Sequence, residues 1–87
     1  MKVKQGYVLR EVGDAFVVVA VGKEAEKFKG VITLNESAKV LWDALAQGAG
    51  MEDLKKALTD VYDVSDEKAM DSAEKFVAKL KEANVLE

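Results

Sequence analysis

The chain has 87 residues, a net charge of −3, and no Cys, His or Pro. The missing Cys and His exclude disulfides, thiolate nucleophiles, His-based catalytic dyads and Zn sites built on those residues, and leave open in principle a carboxylate-only metal or acid/base site; no cofactor is expected. With 49% apolar and 33% charged residues, the composition is that of a folded domain rather than a disordered segment.

A chain of this length makes one domain, residues 1–87, and buries about 60–65% of its unfolded surface. The longest apolar run, residues 15–21, falls well short of the ~18 residues that argue a membrane span. No membrane association is therefore expected. The basic start Met1-Lys2-Val3-Lys4 is followed by no apolar segment of signal-peptide length. It reads as a mature cytosolic terminus, and a cytoplasmic location is expected. Residues 1–30 carry six positive and four negative side chains, residues 31–62 three and five, and residues 63–87 four and seven. Such asymmetry either orients a charged partner or is only a solvated surface; the latter is the commoner case.

In chain order, Tyr7, Val8, Leu9, Arg10, Glu11 and Val12 read as a strand. The dipeptide Gly13-Asp14 then makes a two-residue hairpin, because Gly tolerates the positive φ that a tight turn demands. The run that follows, Ala15-Phe16-Val17-Val18-Val19-Ala20-Val21, is apolar and β-branched throughout. It predicts a central strand covered on both faces. Gly22 to Lys27 read as a polar loop, which leads to a third strand around Val31, Ile32, Thr33 and Leu34, its start near Phe28.

After Leu34 the hydrophobic period changes from two to near 3.6. Asn35 caps a helix with Ala38, Leu41, Trp42 and Leu45 on one face, ended by Gly48 and Gly50. Trp42 is expected in the core rather than at a ligand site. A second helix runs from about Glu52 to Tyr62, with Leu54, Ala57, Leu58 and Val61 inward. Ser65 caps a third, whose stripe is Ala69, Met70, Ala73, Phe76, Val77, Leu80 and Ala83. Val85 and Leu86 are expected to fold back onto the core. Three strands followed by three helices predict an α+β fold, with the helices packed on an antiparallel meander.

No constellation of residues suggests catalysis. The carboxylate pairs Glu52/Asp53 and Asp66/Glu67 stand at helix starts, where the helix dipole accounts for them, and adjacent helical residues do not face each other. The expected protein is not an enzyme.

Several linked segments resemble the coenzyme PQQ synthesis protein D (PqqD-like) family. They are the hairpin Gly6-Tyr7-Val8-Leu9-Arg10-Glu11-Val12-Gly13-Asp14, then Leu34-Asn35-Glu36-Ser37-Ala38 with Leu41-Trp42-Asp43-Ala44-Leu45, then Met51-Glu52-Asp53-Leu54, and the closing Phe76-Val77-Ala78-Lys79-Leu80 with Asn84-Val85-Leu86. Two positions depart from the usual pattern. Asn84 stands where members often have Gly, and Gln47-Gly48-Ala49-Gly50 replaces an acidic-Gly turn with Thr. The resemblance implies a winged-helix-like peptide recognition domain. Such a domain binds the leader segment of a ribosomally made precursor peptide and presents it to a modifying enzyme, frequently a radical S-adenosylmethionine (SAM) protein.

The resemblance also implies that the leader adds a strand beside Val31, Ile32, Thr33 and Leu34 and lies against the third helix. That run contains no Pro and no charge, the usual guards of an exposed edge; the alternative is that these four residues are simply core, with the edge covered by the loop from Lys23 to Phe28. Met70, Ala73 and Val77 are candidate groove residues, with Glu74 and Lys81 flanking. At each of these positions a core or solvated reading competes. Two rival functions share the architecture. A DNA-binding winged helix would need a basic recognition helix, whereas the third helix interleaves Lys68, Lys75, Lys79 and Lys81 with Asp66, Glu67, Asp71, Glu74 and Glu82; no nucleic-acid partner is expected. A homodimerisation module would use the same edge strand, so a monomer or weak homodimer is expected.

Overall fold

In the computed structural model, which describes residues 1–27 and 31–87, the elements follow the order β1 (Tyr7–Val12), β2 (Ala15–Ala20), α1 (Glu24–Lys27), β3 (Ile32–Leu34), α2 (Glu36–Gln47), α3 (Met51–Val61) and α4 (Asp66–Glu82). The sheet is an antiparallel meander in the order β1-β2-β3. It pairs Tyr7 with Ala20 through Val12 with Ala15, and Phe16 with Leu34 through Val18 with Ile32. Gly13 turns the hairpin at φ 61°, while Asp14 keeps a negative φ. A positive φ at the first central residue alone is the type II′ pattern that suits the right-handed twist of paired strands.

The expected α+β architecture stands, with two corrections. The segment read as a polar loop contains the one-turn helix α1, so the strands are not consecutive. Glu24 in α1 accepts a hydrogen bond from the Tyr7 hydroxyl at 3.3 Å and crosses over Gly6. A Cβ at Gly6 would meet Glu24 Cγ at 2.7 Å, and the backbone there has φ +102°, so only glycine fits. The second correction concerns β2, which is central but covered on one face. Val18 is fully buried and Phe16 and Ala20 pack beside it against the core, whereas Val17 and Val19 on the opposite face are only partly buried and do not pack against it. All the helices long enough to cover a sheet follow β3 in the chain and pack on the same side.

The helices start and stop for local reasons. The Asn35 side chain accepts from the Ala38 N–H at 2.8 Å, and Ser65 does the same for Lys68 at 3.1 Å. Asp53 accepts from the Gly50 N–H at 2.9 Å, tying the first turn of α3. Leu41, Trp42 and Leu45 of α2, Leu54 and Leu58 of α3, and Ala69, Ala73, Phe76, Val77 and Leu80 of α4 form one core with Val18, Ile32 and Leu34. Val61, expected inward, is 60% exposed; it ends α3, where the next turn carries the chain away from the core.

Val85 and Leu86 are buried as expected. Asn84 makes the turn before them at φ 61°, a conformation Asn tolerates better than most residues. The N-terminal residues close over this tail. Val3 bridges Leu86, the Lys4 N–H donates to the Val85 carbonyl at 2.8 Å, and the Glu87 N–H donates to the Lys2 carbonyl at 2.9 Å.

Candidate functional site

Strand β3 is the edge of the sheet, and the hydrogen-bond parity decides which of its groups face outward. The Val21 N–H donates to the Gly6 carbonyl at 2.7 Å. In the register of the hairpin, Gly6 and Val21 oppose each other. In an antiparallel ladder, bonded and non-bonded pairs alternate along each strand. Val21, Val19 and Val17 therefore bond towards β1, while Val18 and Phe16 bond towards β3, to Ile32 and Leu34. Thr33 is left with both its N–H and its C=O directed away from the sheet. Among the described residues no backbone bond satisfies that outer edge. The side chains follow the complementary alternation. Ile32 and Leu34 are buried and Thr33 is exposed, as the period of two requires.

Beside this edge lies a groove of about 320 Å³. Leu34, Ala38, Leu41 and Phe76 supply its apolar lining, and Thr33, Asn35, Ser37 and Ser72 line it with neutral polar groups. Lys75 and Lys79 of α4 also line it. Ser72, Lys75, Phe76 and Lys79 follow the i, i+3, i+4, i+7 spacing that puts residues on one helix face. Lys75 is paired with Asp71 at 3.1 Å. A second hollow, of about 310 Å³, adjoins the groove through Ser37 and Ser72 and is lined by Leu58, Tyr62, Val64, Lys68 and Ala69.

The candidates from the sequence are distributed differently. Thr33 and Leu34 line the groove, and Ile32 is buried beneath the edge. Val31 lies just outside β3 and is 59% exposed. Phe28 falls outside the described residues. Ala73 and Val77 are buried in the core. Met70 and Glu74 line a separate hollow with Ser65, Glu67, Lys68 and Asp71, and Lys81 is exposed and lines neither of the groove's two hollows. The structure thus brings Thr33 and Leu34 together with Ser72, Lys75, Phe76 and Lys79, and not with Met70, Ala73, Glu74, Val77 or Lys81. The apolar stripe of an amphipathic helix marks the residues that pack inward. A groove at the margin of that stripe is walled by its border residues, and Phe76 is the stripe member that lines it beside Ser72, Lys75 and Lys79.

The other expected placements are plain. Trp42 is buried. Among the described residues no helix is long and apolar enough to cross a membrane. Lys39 pairs with Asp43 at 2.8 Å and stands 5.6 Å from the Phe16 ring centroid, within cation–π range. Its ammonium pKa is raised, chiefly by the hydrogen bond to Asp43.

No curated protein matches the sequence. Among solved structures, that of TbiB1 in complex with the TbiA(beta) leader peptide is similar in fold. Its TM-score is 0.81 at 20% identity, over 100% of this chain and 95% of that one. The family model for coenzyme PQQ synthesis protein D matches residues 8–86, and the chain belongs to that PqqD family.

Proposed function

We propose that this domain is a non-catalytic recognition element that binds the leader segment of a ribosomally synthesised precursor peptide by strand addition at β3. It then presents the peptide to a modifying enzyme, of which a radical SAM protein is the leading candidate. The observation that carries this reading is the outward-facing N–H and C=O of Thr33 beside the groove under α4. An extended peptide placed there continues the ladder through its backbone and sends alternate side chains towards Leu34 and Phe76. Membership of the PqqD family and likeness in fold to TbiB1, whose structure holds a leader peptide, support it.

The magnitudes are those of a capture module. Two backbone bonds to Thr33 at about 1 kcal/mol each and two apolar anchors at about 1.5–3 kcal/mol each give roughly 5–8 kcal/mol. Association and peptide ordering subtract several of these. Binding is then weak to moderate, as suits a domain that must release its cargo to an enzyme. The test is titration of the isotope-labelled domain with the leader of the precursor peptide encoded alongside it. Amide shifts centred on Thr33 and the residues 72–79 are expected. Shifts confined to the far side of α4, around Met70 and Glu74, would overturn the placement. Light scattering separates capture from self-association: a dimer that persists unchanged with peptide present would assign the edge to a second copy of the chain.

A further inference from the structure

The ten described residues that line the groove include Lys75 and Lys79 but no Asp or Glu, in a chain whose net charge is −3. The hollow on another face of α4 has the opposite character, with Glu67, Asp71 and Glu74 against Lys68 alone. Helix α4 is therefore electrostatically two-sided, and its basic side overhangs the open edge. Lys75 is partly neutralised by Asp71, whereas Lys79 has no ion-pair partner among the described residues. From these observations we infer that the groove selects a peptide carrying an acidic side chain opposite Leu34, held between Lys75 and Lys79.

The inference rests on strand addition at β3 and specifies the ligand that addition selects. A peptide residue paired opposite Leu34 projects to the same side of the sheet as Leu34, because directly opposed residues in a ladder share a face. That side leads to Phe76 at the floor and to the two lysines at the rim. A Glu there lays its methylenes on Leu34 and Phe76 and brings its carboxylate to the ammonium groups, with the Ser72 hydroxyl as a further donor. A Lys at the same position would meet like charge at both rim positions. Ion pairs this exposed change affinity by about 1.4- to 5-fold each, so the groove discriminates charge without depending on it for binding, and the discrimination weakens as salt rises.

The experiment uses the full chain and three capped decapeptides of alternating Thr and Val that differ only in one central residue, Glu, Gln or Lys, with binding read by fluorescence anisotropy at about 20 and 300 mM salt. The expected result is that the Glu peptide binds about tenfold more tightly than the Lys peptide at low salt and less than threefold at high salt. The double variant Lys75→Gln/Lys79→Gln, both positions being exposed, should keep its fold and lose the preference, binding the Glu and Lys peptides within twofold of each other at low salt. An unchanged preference in that variant, or equal affinities for all three peptides in the native chain, overturns the acidic subsite and leaves strand addition standing. Loss of binding to all three in Thr33→Pro supports strand addition. Thr33→Pro binding all three normally, or none of them binding the native chain, overturns strand addition and the subsite with it.

Discussion

The bond from the Val21 N–H to the Gly6 carbonyl, 2.7 Å long, determines from across the sheet which residue of β3 is open to a partner. It fixes the parity of β2, so Ile32 and Leu34 turn inward to the ladder and Thr33 turns outward. Proline at neighbouring positions should then behave in opposite ways. Thr33→Pro removes an N–H that none of the described residues uses. It should leave the melting temperature nearly unchanged while weakening peptide capture by about tenfold or more, from the lost donor and the ring in the peptide's path. Leu34→Pro removes a ladder donor and a buried side chain together, and should destabilise the domain by about 3–5 kcal/mol. Paired thermal melts and peptide titrations check both. Equal destabilisation by the two substitutions would show that the parity is wrong.

The same parity explains what could and could not be read from the residues. The three strands and the three long helices were legible because each is announced locally: Gly13 by its turn, Asn35 and Ser65 by their caps, the stripe of α4 by its period. Coverage of β2 was misread because a run of valines fits a strand buried on both faces as well as one face of a sheet left open. Helix α1 is a single turn held by Glu24 against Gly6 and Tyr7, a long-range contact invisible to local patterning. The groove face of α4 was missed for a related reason. Ser72, Lys75 and Lys79 look like any solvated helix surface until the sheet edge is placed beside them.

Helix α3 offers a test of which face is inward. Leu54 is fully buried, whereas Val61 is 60% exposed, although both belong to one apolar pattern. Leu54→Ala should cost about 2–5 kcal/mol, through lost burial and the cavity left behind. Val61→Ala should stay within about 0.5 kcal/mol of the native chain. Urea denaturation with a common slope separates the two, and a cost above 1 kcal/mol for Val61→Ala would place that side chain in the core.

Tyr7 gives a pH signature. Its burial, and then the nearby Glu24 carboxylate, hold the phenol above its usual value of 10.0. The folded state therefore favours the protonated phenol, so its contribution is fully present below the ordinary tyrosine pKa. It is lost as pH rises through the folded value, because the unfolded chain releases that proton first. Native stability should fall above about pH 10 more steeply than that of Tyr7→Phe, which lacks the titrating group. Denaturation curves from pH 8 to 11 provide the measurement; parallel pH dependences in the two proteins would remove Tyr7 as the cause.

The N-terminal residues are the least conspicuous part of the sequence and carry a testable structural role. Val3 is buried against Leu86, and its N–H donates to the Leu45 carbonyl at 3.2 Å. The Ala49 N–H donates to the Met1 carbonyl at 2.7 Å, so this strap joins the end of α2 to the C-terminal tail. Lys2, Val3 and Lys4 share a hollow with Trp42, the single tryptophan of the chain. Val3→Ala should lower stability by about 1–3 kcal/mol. Removal of residues 1–5 should also leave the Val85 carbonyl without its donor and admit water beside the indole. Trp42 emission should then shift to longer wavelength before global unfolding, and exchange at the Glu87 amide should accelerate. An emission spectrum unchanged by the truncation would mean that the helices alone shield Trp42, and that the strap adds nothing to the core.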